Sequence, residues 1–422
     1  MKKYSLLILI ILASFAFAAP GDLLWRYETM GWVDSSPFVS NRVVFIGSYD
    51  DYMYAINASD GTMKWRYKTL DDVYTSPFVS DGAVFFGSED DYIYALNEED
   101  GTLIWNYKTG DDVYSSPFVL DGVVYIGNLE GILFALNAAD GTLKWSYKTG
   151  GFIRSSPCTS GDAVFVGSKD KSMYAFNLSG GTIKWKYDTS DWVCSSPCVS
   201  EGLVYIGSED DHLHAVSESD GAFKWRYQTG SDIRSSPCVD SGTVYVGSDD
   251  YHLYAVNATD GAYKWRLKAG DVIRSSPCVS ENVVYVGSDD YNLYAIDASN
   301  GALKWKYEAG YFIFSSPCVS EGVVYFGCDD HFVYAIETYG FKGFSDRGKT
   351  AKLPQFSFSA SPNPFSTCLT LSIPSEAKVY SLTGRLVMNL GKGNHKIDTS
   401  SWKNGVYILK AGNQAKRIVK VD

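Results

Sequence analysis

Three features of the 422-residue chain predict an all-β fold: an eight-bladed β-propeller of four-stranded antiparallel blades, followed by a small β-sandwich. The first is a strict period. Trp25, Trp65, Trp105, Trp145, Trp185, Trp225, Trp265 and Trp305 recur every 40 residues without insertion or deletion. Self-similarity at that spacing belongs to solenoids and propellers. The second is the content of one period, four short strand-like runs that cannot bury their faces alone and so must stack on their neighbours. The third is the count. Ser-Ser-Pro begins at Ser35 and recurs eight times, the last at Ser315, with Thr75-Ser76-Pro77 as the variant copy. The tryptophan strand also occurs eight times but starts first, at Trp25. The final repeat stops at Tyr334-Ala335-Ile336, so the Leu23–Tyr27 strand is expected to complete its blade and close the ring.

The chain opens on Met1-Lys2-Lys3, an apolar run over Leu6–Phe17, and the small-x-small site Ala16-Phe17-Ala18. This is the pattern of a secretory signal peptide over 1–18, cleaved after Ala18. No later apolar run has transmembrane length. The propeller then occupies 19–340.

The unit from Val73 to Lys108 shows why each strand forms. Strand A ends in Ser76-Pro77-Phe78-Val79, and proline, lacking an N–H, belongs on an edge. Small serines suit a crowded axis, so strand A is predicted innermost. Asp81-Gly82 is a turn, and the β-branched and aromatic run Ala83–Gly87 is strand B. Tyr92–Asn97 is strand C. Both middle strands are apolar on both faces, so both faces are covered. Asp100-Gly101 signals a hairpin. Leu103, Trp105 and Tyr107 then alternate with outward residues that are mostly charged in the other repeats, such as Lys64, Arg66 and Lys68. That is a half-exposed outer strand D.

Residues 341–353 form a linker, and 354–422 a second unit. Residues 351–422 carry ten Lys and Arg against three Asp and Glu, whereas the first 350 carry 27 against 46. The reversal marks a domain boundary. The acidic propeller argues against nucleic-acid binding.

The recurring Ala-x-Asn-x-x-Asp-Gly-x-x-x-Trp, as in Ala55–Trp65, resembles the tryptophan-docking motif of pyrroloquinoline-quinone (PQQ)-type propeller repeats. That family includes quinoprotein alcohol dehydrogenases and the propeller lipoprotein of the outer-membrane assembly machine. The resemblance covers about residues 22–340 and implies the propeller fold, with the eight tryptophans docking blade on blade. The WD40 type is not matched, since no repeat tryptophan is followed by Asp. In the tail, Pro362-Asn363-Pro364, Tyr380 with Gly384-Arg385, and Gly405-Val406-Tyr407 resemble the type A sorting domain of the type IX secretion system. That implies recognition by an outer-membrane export machine. A small β adhesion module is the plainer alternative.

Catalytic constellations are not found. Gly-x-Ser-x-Gly does not occur. The resembled dehydrogenases use an adjacent-cysteine disulfide beside the quinone, and here no two cysteines are adjacent, nor do insertions separate the blades. Five of the eight cysteines, Cys158, Cys198, Cys238, Cys278 and Cys318, share the position of Phe38, Phe78 and Phe118. Small buried thiols are expected there, with Cys194 open to pairing with a neighbour. His212 and His252 share a repeat position and His214 lies close, but no metal-ligand spacing supports a site. Turn carboxylates such as Asp50-Asp51 and Asp249-Asp250 lack the alternating spacing of a calcium loop. They are expected to be Asx-type turn residues, with that role at the second position of each pair.

Variation carries more information than repetition. The loop before each Ser-Ser-Pro differs from blade to blade, and a propeller gathers these loops around one channel mouth. Trp32, Asp34, Tyr74, Tyr114, Arg154, Trp192, Arg234, Arg274 and Phe314 are the candidate ligand-binding residues. Aromatic platforms and guanidinium groups suit a carbohydrate, peptide or carboxylate ligand. Loop tips that drift without function are the alternative.

The resulting expectation is an exported, non-catalytic, monomeric propeller that binds a surface glycan, peptide or protein, needs no cofactor or metal, and uses the type IX machinery. The rivals are a quinoprotein dehydrogenase with PQQ and calcium, and a periplasmic outer-membrane assembly factor. Against the second stand the sorting-like tail and the absence of a lipobox cysteine after the signal peptide.

Overall fold

The structure, a computed structural model, describes residues 18–338 and seven strands between Ser359 and Lys420. The signal peptide, the 341–353 linker and Pro362-Asn363-Pro364 lie outside the described residues. The chain divides into two compact units, Met1–Gly343 and Phe344–Asp422. No described helix is long and apolar enough to cross a membrane.

The first unit is a ring of eight four-stranded antiparallel sheets. Blade 1 runs β2 (Phe38–Ser40), β3 (Val43–Ser48), β4 (Tyr52–Asn57) and β5 (Met63–Lys68), hydrogen-bonded in that order. Blades 2 to 7 repeat it. Blade 8 takes β30 (Cys318–Ser320), β31 (Val323–Cys328) and β32 (Phe332–Glu337) from the end of the repeats and β1 (Leu23–Glu28) from their start. Trp25 faces Ala335 in that pairing, as Trp65 faces Ala55 within blade 1. The closure anticipated from the repeat count is therefore present.

The sequence periods explain the burial. In blade 2, β7 (Ala83–Gly87) is buried throughout, whereas β9 (Leu103–Lys108) buries Trp105 and exposes Leu103, Ile104, Asn106 and Lys108. Asp81 and Gly82 both have positive φ, 49° and 79°. Positive φ at both central residues of a two-residue loop matches the right-handed twist of the flanking strands.

Trp25, Trp65, Trp105, Trp145, Trp185, Trp225 and Trp265 each donate their indole N–H to a backbone carbonyl of the next blade. Trp65 donates its Nε1–H to Glu98 O of blade 2 at 3.1 Å, and Trp25 donates to Ala58 O of blade 1 at 2.9 Å. The indole of Trp65 lies on Gly101, where a Cβ would come within 2.6 Å of the ring. Gly101 also has φ +73°, so two separate constraints require glycine there. The other side of the indole meets the strand B aromatic of its own blade, Phe45 at 5.7 Å. Trp145 and Trp305 are half-buried rather than buried.

Two expectations need correction. Ser-Ser-Pro is not part of strand A, which begins only after the proline and is three residues long. The proline cannot donate to the ladder, so the serines take over. Ser36 N–H donates to Ser76 Oγ at 2.9 Å, and Ser76 N–H to Ser116 Oγ at 2.9 Å. The series continues blade by blade until Ser316 N–H reaches Ser36 Oγ at 2.9 Å. Eight bonds thus form a closed belt around the axis.

The thiols at the Phe38 position are half-buried rather than fully buried. The sulfur of Cys198 faces the backbone N–H of Val239 in the next blade, and that of Cys238 faces Val279. In the phenylalanine blades the rings pack at a tilt instead, Phe38 against Phe78 at 5.4 Å and 48°. Burial pushes the Cys238 thiol up to about 12 and Cys318 to about 11, so thiolate, the reactive form, is scarce at neutral pH. All seven described cysteines are free, Cys194 included.

The second unit contains two antiparallel sheets. One has the order β33 (Ser359–Ser361), β34 (Cys368–Ile373), β37 (Gly393–Asp398). The other runs β36 (Leu386–Leu390), β35 (Ala377–Ser381), β38 (Gly405–Ala411), β39 (Gln414–Lys420).

Candidate functional site

Two positions per repeat build the channel mouth. The first is the loop residue before Ser-Ser-Pro: Asp34, Tyr74, Tyr114, Arg154, Cys194, Arg234, Arg274 and Phe314 in turn. Its direction is set by the residue before it. Val73 is fully buried against Gly47 of the preceding blade, where a Cβ would sit 2.5 Å from Val73 Cγ1. With Val73 pinned inward to the core, the next side chain turns to the mouth. The second position is the first residue of the B–C turn: Tyr49, Glu89, Lys169, Glu209, Asp249, Asp289 and Asp329 among them. A backbone bond ties it to the same loop, as in Lys169 N–H to Phe152 O at 2.9 Å and Glu209 N–H to Trp192 O at 2.9 Å.

These positions enclose a cavity of about 380 Å³. Of the candidates from sequence, Asp34, Tyr74, Arg154, Trp192, Arg234, Arg274 and Phe314 line it. Two do not. Trp32 is 51% exposed on the rim and packs on Tyr49 at 5.8 Å. Tyr114 stands behind the wall, stacked on Tyr74 at 4.8 Å and beneath Arg154 at 4.7 Å. Lys169 and Glu209 line the cavity and were missed because the turn reads as merely polar. Their signal is a position that changes from blade to blade directly before a repeated aspartate.

The charges are unevenly matched. Arg234 is saturated, with Glu209 at 3.1 Å and Asp232 and Asp249 at 2.8 Å each. Arg274 faces Asp249 at 3.4 Å and Asp289 at 3.5 Å, with its guanidinium over Phe314 at 5.6 Å. Arg154 and Lys169 differ. Lys169 Nζ lies over the Trp192 ring at 4.1 Å, and among the described residues neither cation has a carboxylate at ion-pair distance. Cys194, beside Glu209, is pushed up to about 12, chiefly by burial.

On the blade 8 and blade 1 side two carboxyl groups face each other. Asp34 and Asp329 are both raised, burial being the largest cause. Their Oδ1 atoms have no donor, so the contact is a hydrogen bond only when one group holds the proton. Burial likewise lifts Asp289 to about 7. A raised carboxyl holds a proton in the folded chain that the unfolded chain has released, so its cost to stability grows as pH rises above about 4. Asp329→Asn can donate to Asp34 without a titrating proton. It is expected to melt about 2 °C or more above the parent at pH 8, with the gap closing towards pH 4. A variant less stable at pH 8 would remove the shared-proton assignment.

Among the described residues, three groups could nominally hold a metal: Asp210 with His212 and His214, Asp51 with Asp71 and Asp72, and Asp91 with Asp111 and Asp112. The first is already engaged. His214 stands where six other blades have Tyr and blade 3 has Phe134, and its Nε2 meets Asp210 at 3.1 Å while Nδ1 meets the Tyr187 hydroxyl at 3.0 Å. His212 Nδ1 meets the Asp210 carbonyl at 2.6 Å. In the other two groups Asp51 faces Lys68 and Asp91 faces Lys108 at 3.8 Å each, and Asp71 and Asp111 accept from the N–H of Asp72 and Asp112 at 3.0 Å each. The aspartate one place before Asp91 is a turn residue. Asp90 accepts from Leu70 N–H at 3.0 Å, Tyr92 N–H at 3.0 Å and the Tyr94 hydroxyl at 2.6 Å. The Asx role therefore falls to the position of Asp50, Asp90 and Asp250. In Asp50-Asp51 this is the first residue, not the second as expected, because the second takes positive φ, 68° at Asp51. A quinone seated against an adjacent-cysteine disulfide is not matched, since Cys194 is the one cysteine in the lining and lies between Val193 and Ser195.

Comparison with known proteins places these features. A family model described as the β-propeller of the beta-alanine-activating enzyme matches residues 10–200 and 150–389. A secretion system C-terminal sorting domain matches residues 359–421. No curated protein matches. Among solved structures, BamB from Moraxella catarrhalis superposes with a TM-score of 0.67 at 15% identity, covering 75% of this chain and 99% of that one. The computationally designed Ika8 protein gives 0.67 at 14% identity, covering 74% and 97%. Quinohemoprotein alcohol dehydrogenase from Comamonas testosteroni gives 0.65 at 15% identity, covering 76% and 77%. At these identities the likeness concerns the fold alone, and one fold carries many functions.

Proposed function

Because this chain belongs to the β-propeller family described from the beta-alanine-activating enzyme and ends in a secretion sorting domain, we propose that it is an exported, non-catalytic binding propeller of the cell surface whose ligand enters the channel mouth. The observation that carries the reading is the contrast between scaffold and mouth. Docking tryptophans, serine belt and turn aspartates recur around the ring, while the cavity is lined by Asp34, Tyr74, Arg154 and Phe314 at one and the same repeat position. A repeated scaffold whose loops vary where they converge is the arrangement of a recognition site on a rigid frame. Aromatic faces at Tyr74, Trp192 and Phe314 beside cationic groups suit a surface glycan, a peptide or a protein segment.

Glycan and peptide arrays probed with the exported chain test the binding. Retained ligand, lost in a Trp192→Ala variant that still folds, supports it. Activity that appears only after adding PQQ and calcium would overturn it in favour of a quinoprotein dehydrogenase. The tail is testable separately. Deleting residues 354–422 in the native host is expected to trap a folded propeller in the periplasm, and fusing them to an exported reporter to carry that reporter to the surface. Surface display of the deleted chain would refute the export role, and glycan binding by the tail alone would make it an adhesion module.

A further inference from the structure

The two ends of the cavity carry opposite unmatched charge. Arg154 and Lys169 of blade 4 have aromatic partners, Tyr114 at 4.7 Å and Trp192 at 4.1 Å, but no carboxylate at ion-pair distance among the described residues. Of the other two cations in the wall, Arg234 is held by Glu209, Asp232 and Asp249, and Arg274 faces Asp249 and Asp289 at 3.4 and 3.5 Å, although its Nε has no hydrogen-bond partner. Across the ring, Asp34 of blade 1 lines the cavity; its carboxyl is hydrogen-bonded to Asp329, another carboxyl, and to Tyr49, with no cation at ion-pair distance among the described residues. Tyr74 lies between the two ends, within electrostatic reach of both Asp34 and Arg154. A ligand with only an anionic group would leave Asp34 without a cation, and one with only a cationic group would leave Arg154 and Lys169 unmatched. Arg154 is exposed, and Lys169 and Asp34 are half-buried, so a ligand filling the cavity would strip water from each charge, and a desolvated charge left without a partner is costly.

Resting on the reading of the mouth as a binding site, we infer that its ligand is a zwitterion, a free amino acid or dipeptide, with its carboxylate on Arg154 and Lys169 and its ammonium on Asp34. A guanidinium and an ammonium together suit a carboxylate. An ammonium placed at Asp34 supplies the cation that the Asp34 and Asp329 carboxyl pair lacks. The faces of Tyr74, Trp192 and Phe314 remain for the ligand's side chain and favour an apolar or aromatic one. A cavity of about 380 Å³ is adequate for one such residue or two.

Calorimetric titration of the full exported chain with the free amino acids and a set of dipeptides is the test. The best binder is then compared with its N-acetyl and C-amide derivatives. Each blocked form is expected to bind at least about tenfold more weakly, because each removes one charge from a desolvated pair. Asp34→Asn should weaken the free ligand by a similar factor yet leave the N-acetyl derivative's affinity unchanged. Arg154→Gln should do so for the free ligand and leave the C-amide unchanged. The blocked-ligand comparison needs no variant, so it decides even where a substitution impairs folding. Equal binding of blocked and free forms overturns the zwitterion. So does silence of the amino acid panel while neutral oligosaccharides bind, an outcome that leaves the mouth a binding site. Silence of the panel and of the arrays overturns both.

Discussion

Trp185→Ala is expected to destabilise the propeller by about 3–5 kcal/mol, the usual cost of truncating a large buried aromatic, while Trp192→Ala costs under about 1 kcal/mol, as an exposed residue should. The two residues lie seven apart in one repeat and differ in what surrounds them. Trp185 is 8% exposed, Trp192 41%. Trp185 donates to Glu218 O at 2.9 Å, its ring meets Phe165 at 5.6 Å, and its other face lies on Gly221. Removing it opens a void between blades 4 and 5 and strands a carbonyl, so transfer and cavity terms add. Trp192 keeps one face to solvent and holds Lys169. Its loss is expected to appear in ligand binding, not in melting. Thermal or denaturant unfolding of the two variants, with the parent as reference, checks the order. Equal melting shifts would mean that the docking role has been given to the wrong tryptophan.

How far the molecule could be read in advance follows from this contrast. Trp185 was identifiable because its surroundings repeat. A strand period of two, a glycine four residues earlier and an aromatic in strand B recur in every blade, and only one packing satisfies all three. Strand ends were legible for the same reason, as the Asp81-Gly82 turn and the Ala83–Gly87 strand show. Strand A was overextended because Ser-Ser-Pro can be read as edge strand, and only coordinates reveal that Ser36 and Ser76 bond sideways to the next blade.

The mouth was partly readable. Alternation around buried Val73 or Ile153 predicts that Tyr74 and Arg154 point to the channel, and they do. Trp32 and Trp192 occupy one repeat position, yet only Trp192 lines the cavity. The difference lies at the turn of the preceding blade, where Lys169 of blade 4 reaches over the Trp192 ring, whereas blade 8 has Asp329 there and Trp32 packs instead on Tyr49 of its own blade. Such a contact spans two segments of variable sequence, and no period announces it. The carboxyl pair of Asp34 and Asp329 joins the first and last blades and could be inferred only after the ring is closed.

Removal of β1 is expected to have the widest effect. A chain beginning at Ser35 keeps every strand of blades 1 to 7 and three strands of blade 8, but it loses the outer strand that closes the ring. Glu337 N–H would lose Asp22 O, and Glu337 O would lose Gly21 N–H. The whole antiparallel pairing from Leu23 on Ile336 to Glu28 on Phe332 would go with it. An unpaired edge beside an apolar face is a template for association with other chains. The inner side of the damage is as large as the edge. Trp25 is 9% exposed and fastens blade 8 to blade 1 through Ala58 and Gly61, so without it the ring lacks one of its indole bonds between blades, and Phe332 loses the Arg26 guanidinium 4.3 Å above it. The shortened chain is expected to aggregate, or to melt well below the parent. A synthetic peptide of residues 19–30, added during refolding, should restore a soluble ring, because the missing piece is a strand that pairs by backbone bonds and one indole. Sedimentation and melting of the shortened chain, with and without the peptide, check this. A soluble shortened chain of unchanged stability would show that the fourth strand of blade 8 is dispensable, and the closure would then rest on the serine belt alone.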